Sequence, residues 1–307
     1  MRALVISGGG SKGAFAGGVA QYLIEEKGFE YDLFVGTSTG SLLITHLALN
    51  KTQKIKNVYT SVNQRSIFNN CPFVVKKEVH GQQEIGINHF NVFRNIIKGK
   101  KSFGESKNLR KLIANAITIK EFEELKSGPK EIVVTVSNLS LNTVEYKSIN
   151  DFSYENFCDW IWISCNYTPF MSLVKKNGCE YADGGFGSMV PIEEAIKRGA
   201  TSIDVIVLDT EVAHLNRMPS KNVFSLITNM HAYMADRIEK QNIRIGKYVA
   251  SNNDAIINLY YTPTVLTTNS LIFNKEKMKQ WWEQGFKFAK LKNEELKGLN
   301  ELKEGGE

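Results

Sequence analysis

No stretch of this chain approaches the roughly 20 consecutive apolar residues that a bilayer-spanning helix needs, so no transmembrane segment is expected. A secretory leader is not expected either. The apolar run at 1–6 stops at once in three glycines, with no small-residue cleavage site behind it, and the expected setting is the cytoplasm. Cysteine is scarce. Cys71, Cys158, Cys165 and Cys179 form no C-x-x-C pair and no zinc-ligand spacing, which speaks for reduced thiols packed as small hydrophobes. Nothing in the 307 residues repeats, and no low-complexity linker or shift in composition divides them, so one domain is expected. Acidic residues form no cluster, and neither a metal nor a cofactor is expected.

What remains is the composition of an ordinary globular protein, 42% hydrophobic and 23% charged, able to bury a sizeable core without cross-links. The net charge of +6 is a mild excess of base. Lysines gather at 97–101 and in the last thirty residues, as solvated surface charge or as a weak attraction to anionic lipid headgroups. No nucleic-acid partner is expected, and no feature sets an oligomeric state.

The spacing of apolar residues predicts a strand at 2–7, a helix at 13–27 ending at Gly28, a strand at 31–35, a tight turn at 36–40 and a helix at 41–49. Residues 51–131 are irregular and rich in Asn, Gln and Lys, with a helix at 108–116 and a capping segment at 118–125. Strands follow at 131–137 and 142–148, then an apolar helix at 160–169 stopped by Pro169, and a short extended run at 181–182. A helix at 191–198, a strand at 202–208 and helices at 224–251 and 275–302 complete the chain. Strands alternating with helices indicate an α/β fold with a mostly parallel sheet.

Three short motifs carry chemistry. Gly8-Gly9-Gly10-Ser11-Lys12-Gly13 fits G-x-G-x-x-G between a strand and a helix. A dinucleotide site also wants an acid at the far end of the second strand, and that end is Gly36-Thr37-Ser38. The loop is still a place where backbone N–H groups converge on an anion, whether a phosphate or a developing oxyanion. Gly36-Thr37-Ser38-Thr39-Gly40 is G-x-S-x-G with a strand before it and a helix after it, the setting of a nucleophilic serine. Its base is open among Asp183 and two histidines without a motif, His214 and His231, which lie downstream as the order Ser, Asp or Glu, His of an ordinary Ser-His-Asp hydrolase requires. Asp183-Gly184-Gly185 taken alone is a common Asp-Gly turn.

Taken in order, G-G-G-S-K-G, G-T-S-T-G and D-G-G resemble the patatin-like phospholipase family. The resemblance runs from Arg2 to about Leu208. It implies a three-layer α/β/α fold with a central, mostly parallel sheet, and a Ser–Asp dyad in place of a triad. It implies Ser38 as nucleophile and Asp183 as general base. Gly8, Gly9, Gly10, Lys12 and Gly13, with Thr39, match the oxyanion hole, and Gly36, Gly40, Gly184 and Gly185 the supporting glycines. The substrate class it implies is a lipid or lysolipid ester. The run Ser164–Phe170 resembles the family's Ser-rich segment, but Cys165, Asn166 and Tyr167 stand where small residues are common, which bears on the acyl pocket. A non-catalytic phosphate- or nucleotide-binding protein built on the Gly loop is the alternative from another class. In the last helix Met278, Trp281, Trp282, Phe286 and Phe288 among lysines suit either a transient peripheral membrane contact or, at 3–4 spacing, docking on the core.

Overall fold

A computed structural model describes residues 1–79, 82–212, 220 and 222–304, with the side chains of 76–85 and 296–304 left aside. The chain begins β1 (Arg2–Ile6), α1 (Gly13–Gln21), β2 (Leu33–Thr37), α2 (Thr39–Ala48). It continues with α3 (Thr52–Ser61), α4 (Gln64–Ile67), a hairpin of β3 (Phe73–Val79) and β4 (Gln82–Ile87), and α5 (His89–Ile97). Next come α6 (Lys107–Ala116), α7 (Ile119–Ser127), β5 (Glu131–Asn138), β6 (Thr143–Ser148) and α8 (Tyr154–Ser164). The remainder is β7 (Val174–Lys176), β8 (Cys179–Asp183), α9 (Ile192–Lys197), β9 (Ser202–Val207), α10 (Val223–Ser251), β10 (Ile256–Tyr261) and α11 (Lys275–Glu304).

The main sheet runs β10-β9-β1-β2-β5-β8-β7, with β6 also on β5. Its first five strands are parallel, and β6, β8 and β7 join antiparallel. Alternate residues of one strand face opposite layers. Leu4 and Ile6 pack toward α1, α2 and α11, whereas Ala3 and Val5 pack toward Ile192 of α9 and Ile243 of α10. The sheet is thus mixed but mostly parallel, with helices on both faces, as expected. From β1 the chain goes to β2 on one side, and β9 arrives on the other, so the carboxyl end of β1 lies at a switch point where an α/β sheet opens a crevice.

Three departures from the sequence reading matter for the site. Strand β2 sits two residues later than expected, because its ladder with β5 continues through Gly36 and Thr37, which pair with Val134 and Thr135. The helix expected at 160–169 starts at Tyr154 and ends at Ser164, well before Pro169. There the Asn166 N–H returns to the Ile163 carbonyl, and the Asn166 carbonyl turns out to accept the Asp183 N–H at 2.9 Å. The irregular stretch 51–131 holds α3, α4, α5 and the β3–β4 hairpin, and β7 and β10 add sheet edges that the apolar pattern did not mark. Among the described residues, no helix is long and apolar enough to cross a membrane.

The last helix docks. Met278 and Trp282 are fully buried. A side chain at Gly17 would run into the Trp282 ring, one at Gly18 would meet the Trp282 backbone, and one at Gly285 would meet the Phe15 carbonyl of α1. Trp282 Nε1 donates to Gln21 Oε1 at 2.8 Å. The apolar residues of α11 near its start are core residues.

Candidate active site

Ser38 stands between the last residue of β2 and the first of α2 with φ 53° and ψ −120°, a left-handed conformation that costs a non-glycine residue energy. The flanking glycines are there because the chain passes close to itself. A Cβ on Gly36 would lie 2.6 Å from the Gly40 backbone, and one on Gly40 would strike the Ile6 carbonyl of β1. The turn is held from several sides. The Ser38 N–H donates to Ser164 Oγ at 2.9 Å, Ser41 Oγ donates to the Gly36 carbonyl at 2.9 Å, and Cys165 Sγ lies 3.1 Å from the Ser38 carbonyl that accepts from it. Ser164 and Cys165, at the end of α8, thus clamp the turn.

Asp183 comes to Ser38 through the register of one strand. Along one edge of β5, Thr37 of β2 pairs with Thr135 and Asp183 of β8 pairs with the next residue, Val136, while β6 occupies the other edge. Strands β2 and β8 therefore meet end to end, and their carboxyl termini touch. Ser38 Oγ donates to Asp183 Oδ2 at 2.6 Å, and Asp183 Oδ1 accepts the Gly185 N–H at 2.8 Å. Gly184 passes so close to the Thr135 carbonyl that a side chain there would collide with it. Asp183 is 2% exposed. Burial pushes its carboxyl up to about 7, with the Ser38 hydroxyl and the Gly185 N–H pulling the other way. The same burial, joined by the charge of Asp183, holds the Cys165 thiol and the Tyr167 phenol above their ordinary values.

The glycine loop divides its duties. The Gly8 N–H donates to the Met189 carbonyl, and the Gly13 N–H closes the turn onto Gly10 and Ser11, so neither is free for a ligand. Gly9 and Gly10 donate no hydrogen bond to another described residue. Thr39, as the first residue of α2, has no intrahelical acceptor for its N–H. Gly10 needs to be glycine twice over, with φ +54° and the Ser270 carbonyl packed against its Cα. Tyr59 of α3, 5% exposed, donates to the Gly10 carbonyl at 2.5 Å and hydrogen-bonds Thr39 Oγ1, joining the loop to the start of α2. No sequence signal pointed to Tyr59, which lies in the stretch read as irregular.

Gly8, Gly9, Gly10, Lys12, Ser38, Thr39 and Asp183 all line one cavity of about 1290 Å³. Gly13, Gly36, Gly40, Gly184 and Gly185 stand behind it. Its lining is apolar at Leu42, Ile55, Leu109, Ile113 and Ile161. The same lining carries Lys12, Asp209, Asp236 and Glu239. Burial pushes the Glu239 carboxyl up to about 8, with Lys12 opposing and Asp209 and Asp236 adding to the rise. His231 of α10 belongs to the wall but not to the Ser38–Asp183 pair. Its ring sits 5.5 Å from Tyr167, 5.8 Å from Phe170 and 5.9 Å from Phe186, and burial lowers its pKa. His214 lies outside the described residues. Among the described residues, no His, Cys, Asp and Glu side chains are grouped as metal ligands would be.

A family model for patatin-like phospholipases matches residues 4–196, a span that includes Ser38, Asp183 and the glycine loop. The chain belongs to the patatin-like phospholipase family. It is similar over 94% of its length to VipD from Legionella pneumophila, at 15% identity and a TM-score of 0.49, and spans 66% of that chain. It is also similar, over 83% of its length, to a chain of the SpcU–ExoU complex from the type III secretion system of Pseudomonas aeruginosa. That likeness has 15% identity, a TM-score of 0.35 and 53% of the other chain covered. No curated protein sequence matches. In this member of the patatin-like family, β9, α10, β10 and α11 all lie beyond the matched span. The part of the chain beyond residue 196 supplies Leu208 behind Gly9, Ser270 against Gly10 and the α10 wall that carries His231 and Glu239.

Proposed function

We propose that the protein is a lipid acyl hydrolase, of phospholipase A or lysophospholipase type, working through a Ser38 acyl-enzyme with Asp183 as general base. One observation carries the reading: the 2.6 Å hydrogen bond from Ser38 Oγ to Asp183 Oδ2, made directly and inside a cavity with much apolar lining. Asp183 accepts the hydroxyl proton as Oγ attacks the ester carbonyl carbon. The electron pair moves to the carbonyl oxygen, and the charge that develops is met by the N–H groups of Gly9, Gly10 and Thr39, with the Lys12 ammonium nearby. Each such donor is worth about 3–4 kcal/mol in comparable enzymes. The intermediate collapses, the alcohol leaves with the proton held by Asp183, and the acyl group stays on Ser38. Water then gives a proton to Asp183 and attacks the acyl carbonyl. The fatty acid departs, and the proton returns to Ser38 Oγ.

A carboxylate with a pKa near 7 suits this work, since it is ionised in part at neutral pH yet basic enough to share the serine proton. The apolar lining suits an acyl chain, and Cys165 and Tyr167 belong to the wall that also carries Ser38. The packing of α11 on α1 and of Ser270 on Gly10 supports one catalytic domain over the whole chain. The test is hydrolysis of a panel of phospholipids and lysophospholipids, with released fatty acid measured by mass spectrometry. Release that ends in Ser38→Ala and Asp183→Asn supports the reading. Release that survives Ser38→Ala removes it.

A further inference from the structure

Exposed large apolar side chains gather on two helices. On α5, Phe90 is 76% exposed, Phe93 63%, Ile96 57% and Ile97 69%, and their 3–4 spacing puts them on one side of the helix. On the first turns of α10, Val223, Leu226, Met230 and Tyr233 are exposed with the same spacing. The two helices are linked at Phe224, whose ring meets His89 at 6.0 Å and Phe103 at 5.4 Å. Phe224 and Tyr233 also line the cavity that holds Ser38, so both lie on its rim. An apolar surface of this kind on a folded protein marks an interaction site rather than chance exposure.

Charge tells what it meets. Residues 85–104 contain Arg94, Lys98, Lys100 and Lys101 and no acidic residue, and residues 220–235 contain no acidic residue either. Lys100 pairs with Glu105 and Lys101 with Glu180, while Arg94 and Lys98 make no ion pair among the described residues. Exposed aromatic and aliphatic side chains with unpaired bases beside them are what an anionic lipid surface takes up. The last helix, where the sequence also allowed a membrane contact, spends Met278 and Trp282 on the core.

We propose that α5 and the first turns of α10 form a docking face for an anionic lipid bilayer. On such a surface the rim at Phe224 and Tyr233 faces the headgroups, and an acyl ester reaches Ser38 without passing through water. The use made of the face rests on the lipid-hydrolase reading above; its exposure and charge do not.

The experiment is flotation with vesicles of phosphatidylcholine containing phosphatidylglycerol, using the Ser38→Ala protein so that the vesicles stay intact. The expected result is binding that grows with phosphatidylglycerol content and weakens with salt. It should fall by roughly tenfold or more when Phe93→Asp and Ile97→Asp are added. With Ser38 intact, the same two substitutions should leave hydrolysis of a soluble short-chain p-nitrophenyl ester within about twofold, since neither side chain touches the cavity. Vesicle binding that is unchanged by the pair overturns the docking face. So does a parent protein that binds no vesicle, or one whose self-association, measured by analytical ultracentrifugation, is what the pair abolishes. If vesicles bind through the face but the intact protein hydrolyses no ester, the face stands and the hydrolase reading falls.

Discussion

The hydroxyl of Tyr59 on α3 donates to the carbonyl of Gly10, 49 residues earlier in the chain, at 2.5 Å. Through its second contact, with Thr39 Oγ1, the same hydroxyl ties together the two backbone segments that supply the proposed oxyanion donors. It touches neither Ser38 nor Asp183, so it acts by position.

Tyr59→Phe should therefore lower kcat by about tenfold while KM stays within about twofold, because loosening the donors weakens the transition state more than the bound ester. The folded state should lose only about 1 kcal/mol, the net value of one buried hydrogen bond. Steady-state kinetics on a soluble ester and a thermal melt check the two halves. An unchanged kcat contradicts the positioning role.

The pH dependence follows from the raised pKa of Asp183. Its protonated form cannot act as base, so log kcat/KM should climb with unit slope at acid pH, bend at about 7 and stay level above it. Stability runs the other way. A carboxyl whose folded pKa lies above its unfolded value favours folding most at low pH, and that contribution is lost as pH rises from about 4 through about 7. Asp183→Asn, which has no proton to lose, should gain in Tm relative to the parent by a few degrees across that window. A Tm difference that is flat with pH would contradict the burial argument.

Trp282→Ala should cost about 3–5 kcal/mol, the usual penalty for emptying a fully buried aromatic site. Leu291→Ala on the same helix, at a position 60% exposed, should cost less than about 0.5 kcal/mol. Chemical denaturation of the two variants separates a core helix from a surface one. Equal, small losses would contradict the docking of α11 on α1.

What the sequence discloses depends on how local the cause is. Gly36 and Gly40 are legible because a side chain at either would strike backbone within the turn or the adjoining strand, and the G-x-S-x-G spacing records that restriction. Strands β1, β5 and β9 are legible because both faces are buried and the runs are mostly aliphatic, broken only by single polar residues such as Thr135 in β5 and Asp204 in β9. Asp183 is readable only in company, since what turns an Asp-Gly turn into a partner for Ser38 is the end-to-end meeting of β2 and β8 on β5, and that register is written in no single segment. Tyr59 and Ser164 reach the site across distances in sequence of 49 and 126 residues; Tyr59 carries no motif, and Ser164 is marked only by the resemblance of the run Ser164–Phe170 to the family's Ser-rich segment. The β3–β4 hairpin lies apart from the main sheet as a two-stranded pair, so the alternation that marks a half-buried strand is weak there.

The central claim is that Ser38 attacks as a nucleophile and Asp183 alone is its base. Labelling with a fluorophosphonate probe, located by peptide mass spectrometry, tests it most directly. The account predicts a single adduct on Ser38, none in Ser38→Ala, labelling slowed by at least about 100-fold in Asp183→Asn, and labelling at the parent rate, within about threefold, in His231→Ala. Labelling that survives in Asp183→Asn but is lost in His231→Ala or His214→Ala would contradict it and give the serine a histidine base.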